Sequence, residues 1–153
     1  EFRRVLFRSI TVQTIGHDKL NQLRHVKFFK DLEGVHAHMK KHAAILRPKF
    51  EMVEATLEKE LGGLGIGEWT TPKGGYFISF ESLDGCAKKI VAMAKEAGVV
   101  MTGAGATYPY GKDPKDSNIR IAPSFPPIEE LEKAAQVFVV CVKLASVEKL
   151  LAE

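Results

Sequence analysis

The sequence predicts an α/β fold of the small α+β kind: a short sheet with helices packed on one face, a long helix toward the N-terminus and a long helix at the C-terminus. Three observations carry this. Apolar residues recur at helical spacing over about seven turns from Val35 to Leu61. Short apolar runs of strand length follow, separated by glycine and proline. A second long helical stripe then closes the chain. With 153 residues, 45% apolar and 27% charged, the chain can enclose a core as one domain, and its composition excludes a disordered polypeptide.

Each element has its own signal. His17 to Lys30 places Leu20, Leu23 and Val26 at helical spacing, with Phe28 and Phe29 near the end, which predicts a short helix. In the long helix Val35, Met39, Ala43, Leu46, Phe50, Val53, Leu57 and Leu61 are three or four residues apart. Pro48 interrupts it, removing one backbone donor and crowding the preceding turn, at about 3 kcal/mol if nothing compensates. Because the stripe keeps its phase across the proline, the expectation is one helix kinked near Ile45 to Arg47. Gly62, Gly63, Gly65 and Gly67 end it in a turn-rich linker. A phosphate-binding loop is the sharper reading of these glycines, but no Lys-Ser/Thr pair and no helix follow them.

Strands are expected at 76–80, at 99–102 and at 118–122, with a helix from Leu83 to Ala97 stopped by Gly98. Between the last two strands lies a loop, Gly103 to Ser117, rich in glycine, proline, lysine and aspartate; its length and composition make it the functional-loop candidate. The last helix opens with Pro127 in its first turn, where the missing donor costs nothing, and Glu129 and Glu130 suit the positive end of its dipole. Its stripe is Ile128, Leu131, Ala135, Phe138, Val142 and Ala145.

The net charge of +3 is mostly an end effect. Arg3, Arg4 and Arg8 against Glu1 supply +2 of it within the first nine residues, so it is no footprint for nucleic acid. Those residues lack caps and a clear amphipathic pattern and resemble a translated adapter; they are left out of the fold, and the domain is counted from residue 10 to 153. On that reading the chain has an artificial start and is a fragment of a longer protein. Cys86 and Cys141 lack metal-site spacing and read as buried free thiols in a reducing compartment. No apolar run reaches membrane-span length, and no signal peptide opens the chain, so a cytoplasmic protein without a membrane partner is expected.

Arg120 is the most informative polar residue. It lies between Ile119 and Ile121, whose side chains point to the opposite face of a strand. If the isoleucines bury against helices, Arg120 faces outward as a rigid two-pronged donor for a carboxylate. On the residues alone, an ordinary surface arginine is the commoner case. Tyr108 and Tyr110, in the long loop, are candidates to lie near a cofactor or substrate, or else to pack the loop. His36, His38 and His42 include an i, i+4 pair, a spacing that binds zinc, but no partner ligand follows, and a solvated helix face is the plainer reading; no metal is expected.

The neighbours of Arg120 change the balance. Pro72-Lys-Gly-Gly-Tyr-Phe77, Ala97-Gly-Val-Val100 and Asn118-Ile-Arg-Ile-Ala-Pro-Ser-Phe-Pro126 resemble the small domain of fold-type-I pyridoxal-phosphate aminotransferases. Thr102-Gly-Ala-Gly-Ala-Thr-Tyr-Pro-Tyr-Gly-Lys-Asp-Pro-Lys-Asp-Ser-Asn-Ile-Arg-Ile-Ala-Pro123 and Asp18-Lys-Leu-Asn-Gln-Leu-Arg-His25 are similar to its bacterial aspartate-aminotransferase branch, often called MocR-like. The resemblance runs from about Gly16 to Leu151.

It implies transfer of an amino group from an amino acid, aspartate in this branch, to a 2-oxo acid such as 2-oxoglutarate, by a cytoplasmic homodimer using pyridoxal 5'-phosphate. It also implies that Arg120 grips the substrate α-carboxylate. The Schiff-base lysine, the aspartate for the pyridinium nitrogen and the phosphate cup belong to the family's large domain, upstream of residue 10. No lysine here stands in a matching setting, so this chain alone is expected to carry no catalytic residue and to be inactive. Two other readings stay open: the effector-sensing domain of a transcriptional regulator built on the same fold, and a free-standing interaction module.

Overall fold

The computed structural model describes residues 2–14 and 17–152; Glu1, Ile15, Gly16 and Glu153, and with them the start of the resemblance at Gly16, lie outside the described residues. The chain divides into two units, residues 1–44 and residues 45–153.

The first unit is helical. α1 spans Phe2–Thr14, where the sequence offered no element. The stretch has neither glycine nor proline to stop a helix, and the Ser9 hydroxyl donates to the Val5 carbonyl one turn back at 3.0 Å. α2 (Lys19–Phe29) is capped by Asp18, whose carboxylate accepts the Asn21 N–H at 3.0 Å. Lys30, at φ 65°, stops it with a bond from its own N–H to the Val26 carbonyl. The Asp31 carboxylate then accepts the Gly34 N–H at 2.8 Å at the start of α3 (Leu32–Leu61). Phe28 and Phe29 meet the His38 ring edge-on at 5.4 and 5.3 Å. α2 buries no residue: Leu20, Leu23, Val26 and Phe28 are all exposed.

α3 runs unbroken through Pro48, as the continuous stripe predicts. In the second unit its final turns bury Val53, Leu57 and Leu61. β1 (Gly67–Trp69), β2 (Ile78–Ser82) and β3 (Asn118–Ile121) form an antiparallel sheet in the order β1-β2-β3. α4 (Ala87–Glu96) and α5 (Ile128–Ala152) complete the α/β arrangement that the sequence predicts. Ile78, Phe80, Ile119 and Ile121 point to one face of the sheet and are buried. They join Leu57 and Leu61 of α3, Ile90 of α4, and Leu131, Phe138 and Val142 of α5 in one core. The thiols of Cys86 and Cys141 are buried in it. Burial pushes the Cys141 thiol up from its ordinary pKa. Lys143 of α5 donates to Glu60 of α3 at 2.7 Å, a bond that holds the Glu60 carboxyl below its usual range.

The strands correct the sequence reading in three places. β1 forms inside the expected linker, starting at Gly67; it pairs with β2, and Trp69 stacks on the Phe80 ring at 6.3 Å and an interplanar angle of 7°. Residues 99–102 form no strand; the Val99 N–H is used by the Ala94 carbonyl at the end of α4, at 2.8 Å. β2 begins two residues later than expected. Among the described residues no helix is long and apolar enough to cross a membrane.

Candidate functional site

The register pairs Ser79 with Arg120 and Glu81 with Asn118. Since side chains alternate along a strand, these four share the face opposite the buried isoleucines and Phe80. The helix-facing side is closed by the core, and the other side carries the polar side chains. Arg120 lies on it half-buried, as the alternation predicts, with its guanidinium 4.5 Å above the Phe77 ring. Its Nε is buried and makes no hydrogen bond, and Arg120 is in no ion pair among the described residues. A buried donor without an acceptor costs about 1–3 kcal/mol.

The turn after β3 fixes the far end of the strand. Lys49 of α3 donates to the carbonyls of Ser124 and Pro126 at 2.8 and 2.6 Å, pinning the proline-stiffened segment that follows Ala122. Against the free edge of β3 lies an apolar cleft of about 190 Å³, walled by Val99 to Thr102 on one side and Arg120 to Ala122 on the other, with Phe138 and Leu57 among its lining residues. One wall, Val99 to Thr102, is the segment where a strand was expected.

The near end of β3 is held by the long loop, which folds on itself. At Gly105, φ is +80° and an added Cβ would meet the Gly111 carbonyl oxygen at 2.7 Å, so only glycine fits. Asp113 organises the exit: its carboxylate accepts the N–H groups of Lys115 at 3.0 Å and of Ser117 and Asn118 at 2.8 Å each. Desolvation pushes the Asp113 carboxyl up, but the backbone N–H bonds from Asn118, Lys115, Ser117 and Asp116 outweigh it and leave the pKa below its ordinary 3.8. A carboxylate lowered in the folded state stabilises above its unfolded pKa and loses that contribution as pH falls through the folded value. Urea midpoints should therefore drop as pH falls below about 4, and Asp113→Asn should lower the neutral midpoint and flatten the profile. Parallel profiles for the two proteins would mean that this charge does not hold the loop.

Of the loop tyrosines, Tyr108 precedes a single 3-10 turn, Pro109–Gly111, and Tyr110 sits within it at φ 58° and is 97% exposed. Tyr110 therefore does not pack the loop. The loop's link to β3 is Thr107, whose hydroxyl donates to the Asn118 side-chain oxygen at 2.5 Å. The polar group of Ser79, Glu81, Ser117 and Asn118 was not singled out in the sequence. The signal was present: Asn118 stands two residues before Arg120, and Ser79 and Glu81 stand two apart in the neighbouring strand. On the helix face, the His38 and His42 Nε2 atoms lie 2.9 Å apart. No third metal-ligating side chain joins them among the described residues.

Residues 5–153 match the family model described as aspartate amino-transferase. The chain is 49% identical over 137 residues to an aspartate aminotransferase of Corynebacterium glutamicum, covering 90% of this chain and 32% of that protein. It superimposes on the crystal structure of an aspartate transaminase from the same species with a TM-score of 0.87 and 46% identity, over 96% of this chain and 35% of that one. The fold also matches LysN, an α-aminoadipate aminotransferase of Thermus thermophilus solved with N-(5'-phosphopyridoxyl)-L-leucine, with a TM-score of 0.71 at 18% identity, over 92% of this chain and 35% of that one. The chain spans about a third of the length of these relatives. A match over nearly all of its residues, on a fold shared with these enzymes, places the chain in the aspartate amino-transferase family.

Proposed function

We propose that this chain is the C-terminal small domain of a pyridoxal-phosphate-dependent aminotransferase of the MocR-like branch, and that Arg120 binds the α-carboxylate of its substrates. The whole protein, on this reading, is a cytoplasmic homodimer that moves the amino group of aspartate to 2-oxoglutarate. The observation that carries the reading is Arg120 itself, half-buried on a paired strand and in no ion pair among the described residues. The relatives named as aspartate aminotransferase and aspartate transaminase support aspartate as the amino donor. Exposed Leu20, Leu23, Val26 and Phe28 on α2 are consistent with a longer chain that covers them.

The residues present fit the substrate half of such a site. A carboxylate would accept from the outer nitrogens of the Arg120 guanidinium, whose plane Phe77 fixes. No residue of this chain is assigned to holding the cofactor; its lysine, its aspartate and its phosphate cup belong to the large domain in this reading. When bound, the cofactor supplies the electron sink for the carbon that loses its proton. The chain's contribution is to hold one end of the substrate and so limit the orientations of the Cα–H bond.

The full-length protein, loaded with pyridoxal phosphate and given aspartate and 2-oxoglutarate, should produce oxaloacetate and glutamate, read by coupled reduction of oxaloacetate. The chain of residues 10–153 should produce none. Absence of turnover with any amino donor, together with amino-acid-dependent DNA binding, would replace the enzyme by a regulator.

A further inference from the structure

We propose that Asn118 is a positioning residue that holds Glu81 away from Arg120 and so keeps the guanidinium open for an incoming carboxylate. The inference rests on the reading of Arg120 as a carboxylate receptor.

The register makes the problem explicit. Glu81 faces Asn118, and Ser79 faces Arg120, so Glu81 is the diagonal cross-strand neighbour of Arg120 on the same face of the sheet. Diagonal neighbours in an antiparallel pair are within reach of long side chains. A glutamate and an arginine so placed have an obvious partner in each other. An internal ion pair there would occupy the fork that a substrate needs.

The structure shows a different pairing. Glu81 Oε1 accepts from the Asn118 side-chain nitrogen at 2.5 Å, and Glu81 Oε2 accepts from the Ser117 hydroxyl at 2.8 Å. Both carboxylate oxygens are engaged, by Ser117 and Asn118, and among the described residues Arg120 is in no ion pair. The Asn118 amide is itself locked. Its nitrogen also donates to the Ser79 hydroxyl at 2.9 Å, its oxygen accepts from Thr107, and the residue is only 5% exposed. The backbone N–H groups of Ser117 and Asn118 are fixed in turn by Asp113. The network runs from the long loop through Asn118 to Glu81, and its effect on Arg120 is to remove a competitor.

Loss of the amide frees one Glu81 oxygen, and Ser117 alone then restrains the carboxylate. If Glu81 occupies Arg120 nine-tenths of the time, the apparent affinity for an outside carboxylate falls about ten-fold, because only the open fraction binds. The probe is succinate, an unreactive dicarboxylate, titrated calorimetrically into the full-length, cofactor-loaded protein. Asn118→Ala should weaken succinate about ten-fold, and adding Glu81→Gln should restore most of the loss. Thr107→Val keeps the buried amide but frees its orientation; it should give a smaller loss, again reversed by Glu81→Gln. That second pair carries the test if Asn118→Ala does not fold.

A weakening that Glu81→Gln leaves in place would mean that Asn118 acts only on the shape of the strand, and the proposal falls. Wild-type affinity in folded Asn118→Ala would overturn it as directly. Arg120→Ala in the same assay separates the two levels. If it binds succinate as tightly as wild type, the carboxylate receptor itself is lost; if it binds weakly while the Asn118 and Thr107 variants do not, only the positioning role is lost.

Discussion

Arg120→Ala in the full-length protein should reduce kcat/KM for aspartate and for 2-oxoglutarate by about two orders of magnitude while leaving bound pyridoxal phosphate in place. The size follows from the pairing lost. A charge-assisted bidentate contact is about twice as strong as a neutral one, and losing it at a half-buried site costs about 3 kcal/mol, with each 1.4 kcal/mol worth a factor of ten. The strand supplies preorganisation: β3 is paired with β2, its exit is pinned by Lys49, and the guanidinium lies over Phe77. Arg120→Lys should recover only part of the loss, because an ammonium keeps the charge but not the planar fork. The measurements are the two half-reactions by rapid mixing, with cofactor content read from its absorbance. Unchanged kinetics in Arg120→Ala would remove the carboxylate role.

Much of this architecture was legible because its signals are local. The stripe from Val35 to Leu61 and the one from Leu131 to Ala145 specify helices through a spacing that any window of the chain displays, and α3 and α5 follow them. Alternation in Asn118-Ile-Arg-Ile121 placed Arg120 opposite the core from four residues alone. What escaped was non-local. β1 is three residues long and begins on a glycine that locally signals a turn; it pairs with β2, where Trp69 meets the ring of Phe80. Val99 to Thr102 has the composition of a strand, yet pairing needs a neighbour at hydrogen-bond distance, and an apolar cleft separates this segment from β3. The Glu81–Asn118 contact depends on a register between residues 37 apart, which no local pattern reports.

Phe80→Ala should be the most damaging single change to the stability of the second unit, costing about 3–5 kcal/mol. Phe80 is fully buried at the centre of β2, stacked on Trp69 of β1 and edge-on to Phe138 of α5 at 5.1 Å and 82°. Such ring pairs add about 0.5–1.5 kcal/mol each beyond the buried area, and truncation forfeits both together with the volume of the ring. The ring also sets the position of β1: a Cβ added at Gly67 would lie 2.5 Å from Phe80 Cζ, so the strand approaches as closely as it does only because residue 67 has no side chain. Gly67→Ala should accordingly cost about 1–3 kcal/mol by overpacking. The two changes should not add, since Phe80→Ala removes the atom that Gly67→Ala strikes. A urea-denaturation cycle over wild type, the two single variants and the double measures this. If the double variant is less stable than Phe80→Ala by the full cost of Gly67→Ala, the ring does not position β1. The strand would then owe its place to backbone pairing with β2 alone, and the polar face carrying Ser79 and Glu81 would be insensitive to what lies beneath it.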